Sequence, residues 1–254
     1  MNDPAESPRS APGGAFPPTQ WSMIVRAGGP GSPEAGAALE SLCRQYWFPL
    51  YSYVRRQGRA HHEAEDCTQE FLARLLAADG VARARPELGR FRTFLLTALR
   101  NFLIGEWHRA QAAKRGGGHS PLSLDFPDAE KTFHREPADP ALTPEQAFDR
   151  AWALGMIERA LGELRTDYEK SGRGALFTAL APLAWGDGAG EALAAPAARL
   201  GLTTHAFTVS LARFRQRIGQ RLRADVAETV ADAAEIDAEL RHLIAAVSAR
   251  PAAR

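Results

Sequence analysis

From Ala35 to Leu222, every segment long enough to show a period repeats its apolar residues at three- and four-residue steps, and none alternates them every second residue. Alternation is what a half-buried strand needs, whereas the three-and-four pattern lays side chains along one helical stripe. The chain is therefore expected to be all-α. One stripe is Leu39, Leu42, Cys43, Tyr46, Trp47 and Leu50, with Pro49 expected to kink or divide its helix. A second helix over 62–77 would bury Ala64, Cys67, Phe71, Leu72, Leu75 and Leu76. A third over 91–115 would bury Phe91, Phe94, Leu95, Ala98, Leu99, Phe102 and Leu103. Further helical pattern occupies 145–168 (Phe148, Trp152, Met156, Ile157, Leu161, Leu164) and about 174–184.

Glycine and proline punctuate this pattern. Residues 1–18 are rich in Pro, Gly, Ser and Ala without periodicity, the composition of a disordered tail. Gly116, Gly117 and Gly118 stop the third helix, and 116–144 holds five prolines, which reads as a flexible linker. Two helical domains follow from this, 19–115 and 145–223, with an extension over 224–254. Within the second domain, 191–223 places a short alanine-rich helix, the turn Gly201-Leu202-Thr203 and a long basic helix in succession, a helix-turn-helix pattern. Gly201 can adopt the positive φ of a sharp turn, and Thr203 can cap the new helix. Pro196 is expected to delay the start of the alanine-rich helix to about Leu193.

The net charge of +1 conceals opposing segments. Residues 61–70 hold Glu63, Glu65, Asp66 and Glu70 and no Lys or Arg, whereas 90–115 hold six cations against Glu106. Residues 203–223 hold five arginines and no acid, and 224–247 then hold six acids against Arg241. Two basic stretches on helices are the electrostatic footprint of a nucleic-acid binder. At the start of the second helix of a helix-turn-helix, Thr204, His205 and Thr208 would meet base edges, and Arg213, Arg215 and Arg217 phosphates. On the third helix, cations beside Trp107, His108 and Asn101 make the mixture used to stack single-stranded bases and hold phosphates. The acidic face at 62–76 would suit a basic protein partner.

Other classes are disfavoured. The longest nearly apolar run, Phe94 to Ile104, is broken by Arg100 and falls short of the roughly 20 residues that span a bilayer. The first residues lack the basic start and apolar stretch of a secretory signal, so a cytoplasmic location without membrane association is expected. Two cysteines make no disulfide framework. No P-loop Gly-Lys-Ser/Thr, Gly-x-Ser-x-Gly or His-Glu-x-x-His occurs, and His61, His62, Glu63 and Cys67 lack a second ligand pair. No catalytic site, metal or cofactor is expected.

The segments AEDCTQEFLARLL (64–76), GRFRTFLLTALRNFLIGEWHRAQAAKRGGG (89–118) and 191–223 resemble regions 2.2, 2.3–2.4 and 4 of an extracytoplasmic-function-type sigma factor, in the same order and spacing. The resemblance covers about 19–247. It implies that 19–115 is region 2, which docks on polymerase and opens the −10 element, and that 145–223 is region 4, which reads the −35 element, with 116–144 spanning between them. Asp66, Gln69, Glu70 and Arg74 then fall where the family meets the β′ clamp helices of core RNA polymerase. Arg90, Arg92, Arg100, Asn101, Trp107, His108 and Arg115 fall at the −10 DNA, and Thr203, Thr204, His205, Thr208, Arg213, Arg215 and Arg217 at the −35 DNA. The implied partners are promoter DNA and core polymerase, through its β′ clamp helices and β flap, and the resemblance also admits an anti-sigma factor or other regulator. The acidic 224–254 extension is expected to pack against region 4 and dampen binding to free DNA. A stand-alone helix-turn-helix regulator is the alternative, and the acidic 62–76 face distinguishes the two, since a simple repressor has no need of it. A helical adaptor that binds only proteins is a third reading; it predicts no salt-dependent DNA affinity.

Overall fold

A computed structural model describes residues 33–77, 90–112, 142–186, 191–230 and 232–248. Among them are eight α-helices and no strand: α1 Pro33–Arg56, α2 His61–Ala77, α3 Phe91–Ala112, α4 Pro144–Lys170, α5 Gly174–Leu180, α6 Glu191–Arg199, α7 Thr204–Ala227 and α8 Ile236–Ser248. The all-α expectation holds. The proposed tail 1–18 and nearly all of the proposed linker lie outside the described residues.

Two local expectations are corrected. Pro49 does not divide α1, which runs through it as one element, and α6 begins at Glu191 rather than Leu193, with Pro196 in its interior. Both prolines are buried. Most helical stability in a protein comes from packing an amphipathic face, and burial beside Tyr46 and Leu50, or beside Leu193 and Ala197, offsets the hydrogen bond each proline forfeits.

The longest helix, α4, organises the rest. Thr143 begins it with a reciprocal cap: its hydroxyl accepts from the Gln146 amide at 3.2 Å, and the Gln146 side chain accepts from the Thr143 amide at 2.9 Å. Pro144 follows at a position where a missing N–H costs nothing. At 1.5 Å per residue its 27 residues extend about 40 Å, enough to enter two cores. Phe148, Trp152, Ala153 and Met156 join Tyr46 and Leu50 of α1, Leu72 of α2, Leu95 and Leu99 of α3, and Ile236 and Leu243 of α8. Two turns further on, Leu164 and Tyr168 join Leu180 of α5, Leu193 of α6 and the stripe Phe207, Leu211, Phe214 and Ile218 of α7. The expected domain boundary at 144/145 therefore does not coincide with the boundary between cores, which falls inside α4.

Aromatic rings fix both packings. Tyr46 meets Phe91 edge-on at 5.3 Å and stacks on Trp152 at 6.1 Å. In the second core Phe214 meets Tyr168 at 5.8 Å and Phe177 at 5.7 Å, both edge-on. Such pairs contribute about 0.5–1.5 kcal/mol each beyond the area they bury.

Candidate nucleic-acid and protein interfaces

Three surfaces carry the residues singled out in the sequence. On α2, Asp66 is exposed and Gln69 and Glu70 are half-buried. Glu63 is used locally, its carboxylate accepting from the Ala60 amide at 3.1 Å. Arg74 turns inward: it pairs with Glu70, reaches Glu106 at 3.0 Å and lies 5.0 Å over the Phe102 ring. Asp66 is thus the member of the proposed docking set most open to a partner, while Glu70 and Arg74 partly satisfy each other. Cys67 lies beneath this face, and burial pushes its thiol up to about 11, as it does for Cys43. Both behave as small apolar residues.

The cations at the start of α3 meet carboxylates from elsewhere in the chain. Arg92 is 8% exposed. Its Nε donates to Glu239 at 2.6 Å and one terminal nitrogen donates to Asp149 at 2.7 Å. Burial opposes the charge on Arg92, but the hydrogen bonds it donates to Glu239 and the attraction of Asp149 outweigh it and hold the guanidinium's pKa above its ordinary value. Arg90 approaches the same Glu239 at 2.5 Å. Two turns along the helix, Arg100 pairs with Glu145 and donates to the Tyr53 hydroxyl at 3.1 Å, while Asn101 is exposed. That ion pair holds the Glu145 carboxyl below its usual range. In this arrangement Arg92 is inaccessible to a nucleic acid, a departure from the sequence expectation whose reason is the arrival of α8. The side chains of Trp107 and His108, and all of Arg115, lie outside the described residues.

Helix α7 begins as its sequence predicts. Gly201 has φ +66° in the preceding turn, a region other residues avoid at a cost of roughly 1–2 kcal/mol. The Thr203 hydroxyl caps the helix by accepting from the Ala206 amide at 3.2 Å. Thr204, His205, Thr208 and Arg213 are exposed, and the Thr208 hydroxyl donates back to the Thr204 carbonyl at 2.8 Å. Arg215 is different. It donates to the carbonyls of Leu183 at 2.9 Å, Ala184 at 3.2 Å and Gly186, tying α7 to the segment that follows α5. Arg217 lies 5.8 Å over the Tyr168 ring. Among the three arginines assigned to phosphates, Arg213 is the one with no structural task among the described residues.

Sequence reasoning missed the carboxylates that answer the α3 cations: Glu145, Asp149 and Glu239. In the sequence Glu239 belongs only to an acidic extension, and Glu145 and Asp149 only to the helical pattern at 145–168. No spacing rule connects Arg92 to a residue 147 positions away.

Residues 42–113 match the family model for sigma-70 region 2. The match begins within α1, includes all of α2 and α3 and ends just beyond α3, so it contains the acidic face and the basic face just described. No curated protein and no solved structure matches the chain. A sigma-70 region 2 domain supports a sigma factor role in transcription initiation and implies binding to core RNA polymerase and promoter DNA. No helix among the described residues is long and apolar enough to cross a membrane.

Proposed function

We propose that this chain is a sigma factor of the extracytoplasmic-function type, which binds core RNA polymerase and directs initiation at promoters by recognising −35 and −10 DNA. The observation that supports the proposal is one chain holding a region 2 match at 42–113 and, from 191 on, the short helix α6, the Gly201 turn and the capped, basic helix α7. The division of labour follows from the surfaces. Asp66, with Gln69, Glu70 and Arg74 around it, meets the β′ clamp helices. Arg100 and Asn101 of α3, with Arg90, Trp107, His108 and Arg115, capture the −10 strand, and Arg92 joins them only when Glu239 and Asp149 give it up. Opening DNA there takes no chemistry: unstacking a base costs a few kcal/mol, which a pocket and stacking contacts offset.

Helix α7 reads the −35 element in the major groove, Thr204, His205 and Thr208 toward base edges and Arg213 toward phosphate, with Thr203 and Arg215 holding the helix start and its support in place. The β flap and an anti-sigma factor or other regulator complete the partners in this reading. The stand-alone regulator differs in one measurable respect, since it needs no polymerase. Labelled full-length protein titrated with bacterial core polymerase should form a stable complex, and Asp66→Arg should weaken it at least tenfold while leaving the melting temperature unchanged. Duplex DNA binding with no polymerase complex would favour the regulator instead.

A further inference from the structure

Helix α8 is held where the region 2 reading places nucleic acid. Glu239 is 1% exposed and receives Arg92 twice, at 2.6 and 3.3 Å, and Arg90 at 2.5 Å. Asp149 of α4 takes the other side of Arg92 at 2.7 Å and meets the His242 ring of α8 at 2.8 Å. Arg150 donates to the Val247 carbonyl at 3.0 Å, satisfying the C-terminal end of α8. Arg223 of α7 pairs with Asp237 at 2.6 Å, and Ile236 and Leu243 are buried in the first core. Expected to pack against region 4, the acidic extension meets α4 and α7 and also reaches Arg90 and Arg92 at the start of α3 through Glu239.

A carboxylate gripped by an arginine fork uses the geometry and the donors that a phosphate would use. Arg92 has its Nε and both terminal nitrogens engaged, and Arg90 and Arg100 face carboxylates too. We propose that α8, with Asp149 and Glu145 of α4, is an intramolecular stand-in for DNA phosphate that occupies the α3 face until single-stranded DNA displaces it. This rests on the reading of α3 as a nucleic-acid face. The two occupants exclude each other, so the apparent affinity for DNA is lowered by the fraction of molecules in which α8 is released. Binding at α3 and release of 236–248 are then one event.

The test uses the full chain and a fluorescein-labelled, mixed-sequence single-stranded 20-mer. Glu239→Gln should bind it at least tenfold more tightly than wild type. The slope of log affinity against log salt should stay close to that of wild type, because in both complexes α3 neutralises the same phosphates, at about 0.7 per phosphate on a single strand. Wild type needs no substitution for the second arm: saturation with the 20-mer should slow hydrogen exchange in 90–100 and accelerate it in 236–248. Equal affinities for wild type and variant, or a DNA complex in which 236–248 stays protected, overturns the clasp and leaves the α3 reading standing. No binding by either protein overturns the α3 reading and the clasp with it.

Discussion

Arg90 just before α3 and Arg92 and Arg100 on it each meet a carboxylate from another helix, whereas His205 and Arg213 on α7 are exposed and make no ion pair among the described residues. In the sequence the two basic stretches look alike. The difference comes from what lies opposite: acids of α4 and α8 reach Arg90, Arg92 and Arg100, whereas on α7 acids reach Arg221 and Arg223 near its end and, among the described residues, none reaches His205 or Arg213. A run of cations on a helix therefore reports a capacity to bind polyanions, and the tertiary fold decides which cations are free to use it.

The largest effects test whether the two faces belong to one cooperative body. Trp152 and Phe214 sit in different cores joined by α4, and each Ala substitution should cost about 3–5 kcal/mol. Chemical denaturation followed by circular dichroism should show one transition, moved to lower denaturant by either substitution. Two transitions, each moved by only one variant, would separate the faces into independent units.

Next in size is the contrast between the cations themselves. Arg92→Ala leaves Glu239 buried without its main partner, and breaking a buried pair in this way costs about 3–5 kcal/mol. Arg213→Ala removes an exposed side chain and should change stability by no more than about 0.5 kcal/mol, while weakening duplex DNA binding and lowering its salt dependence. Equal stability losses in the two variants would erase the distinction. Thr203→Ala should cost about 1 kcal/mol through the lost cap, read as a lower denaturation midpoint, with faster exchange confined to the first turn of α7.

The smallest effect is on pH. Because the folded Glu145 carboxyl titrates below its ordinary value, its pairing with Arg100 contributes stability above the unfolded pKa, about 4.3, and loses it as the pH falls through the folded one. Both side chains are substantially exposed, so solvent screens the pair and the slope should be shallow. Glu145→Gln should flatten the acid limb of the stability curve relative to wild type; an unchanged limb would remove Glu145 from the account.

The sequence made visible what depends on neighbours within a turn or two. The stripes on α3 and α7, the cap at Thr203 and the positive φ of Gly201 all follow from local periodicity and backbone sterics, and they stand. Pro49 and Pro196 misled because a local penalty was set against burial that only the folded chain supplies. The two-core path of α4 was hidden too, since a helix stripe says that a face is buried but not against what. Arg215 looked like Arg213 in sequence, yet three carbonyls from the segment before α6 claim it. The pairing of Glu239 with Arg92 belongs to the same class of long-range fact.

The most direct test of the central claim is run-off transcription from the DNA upstream of the protein's own gene, with bacterial core polymerase and either wild type or Asp66→Arg. The account predicts transcripts that require the protein and are lost in the variant, because Asp66 is exposed and its role is contact rather than stability. Absence of any transcript and of a polymerase complex, with duplex DNA still bound by the wild-type protein, would contradict it.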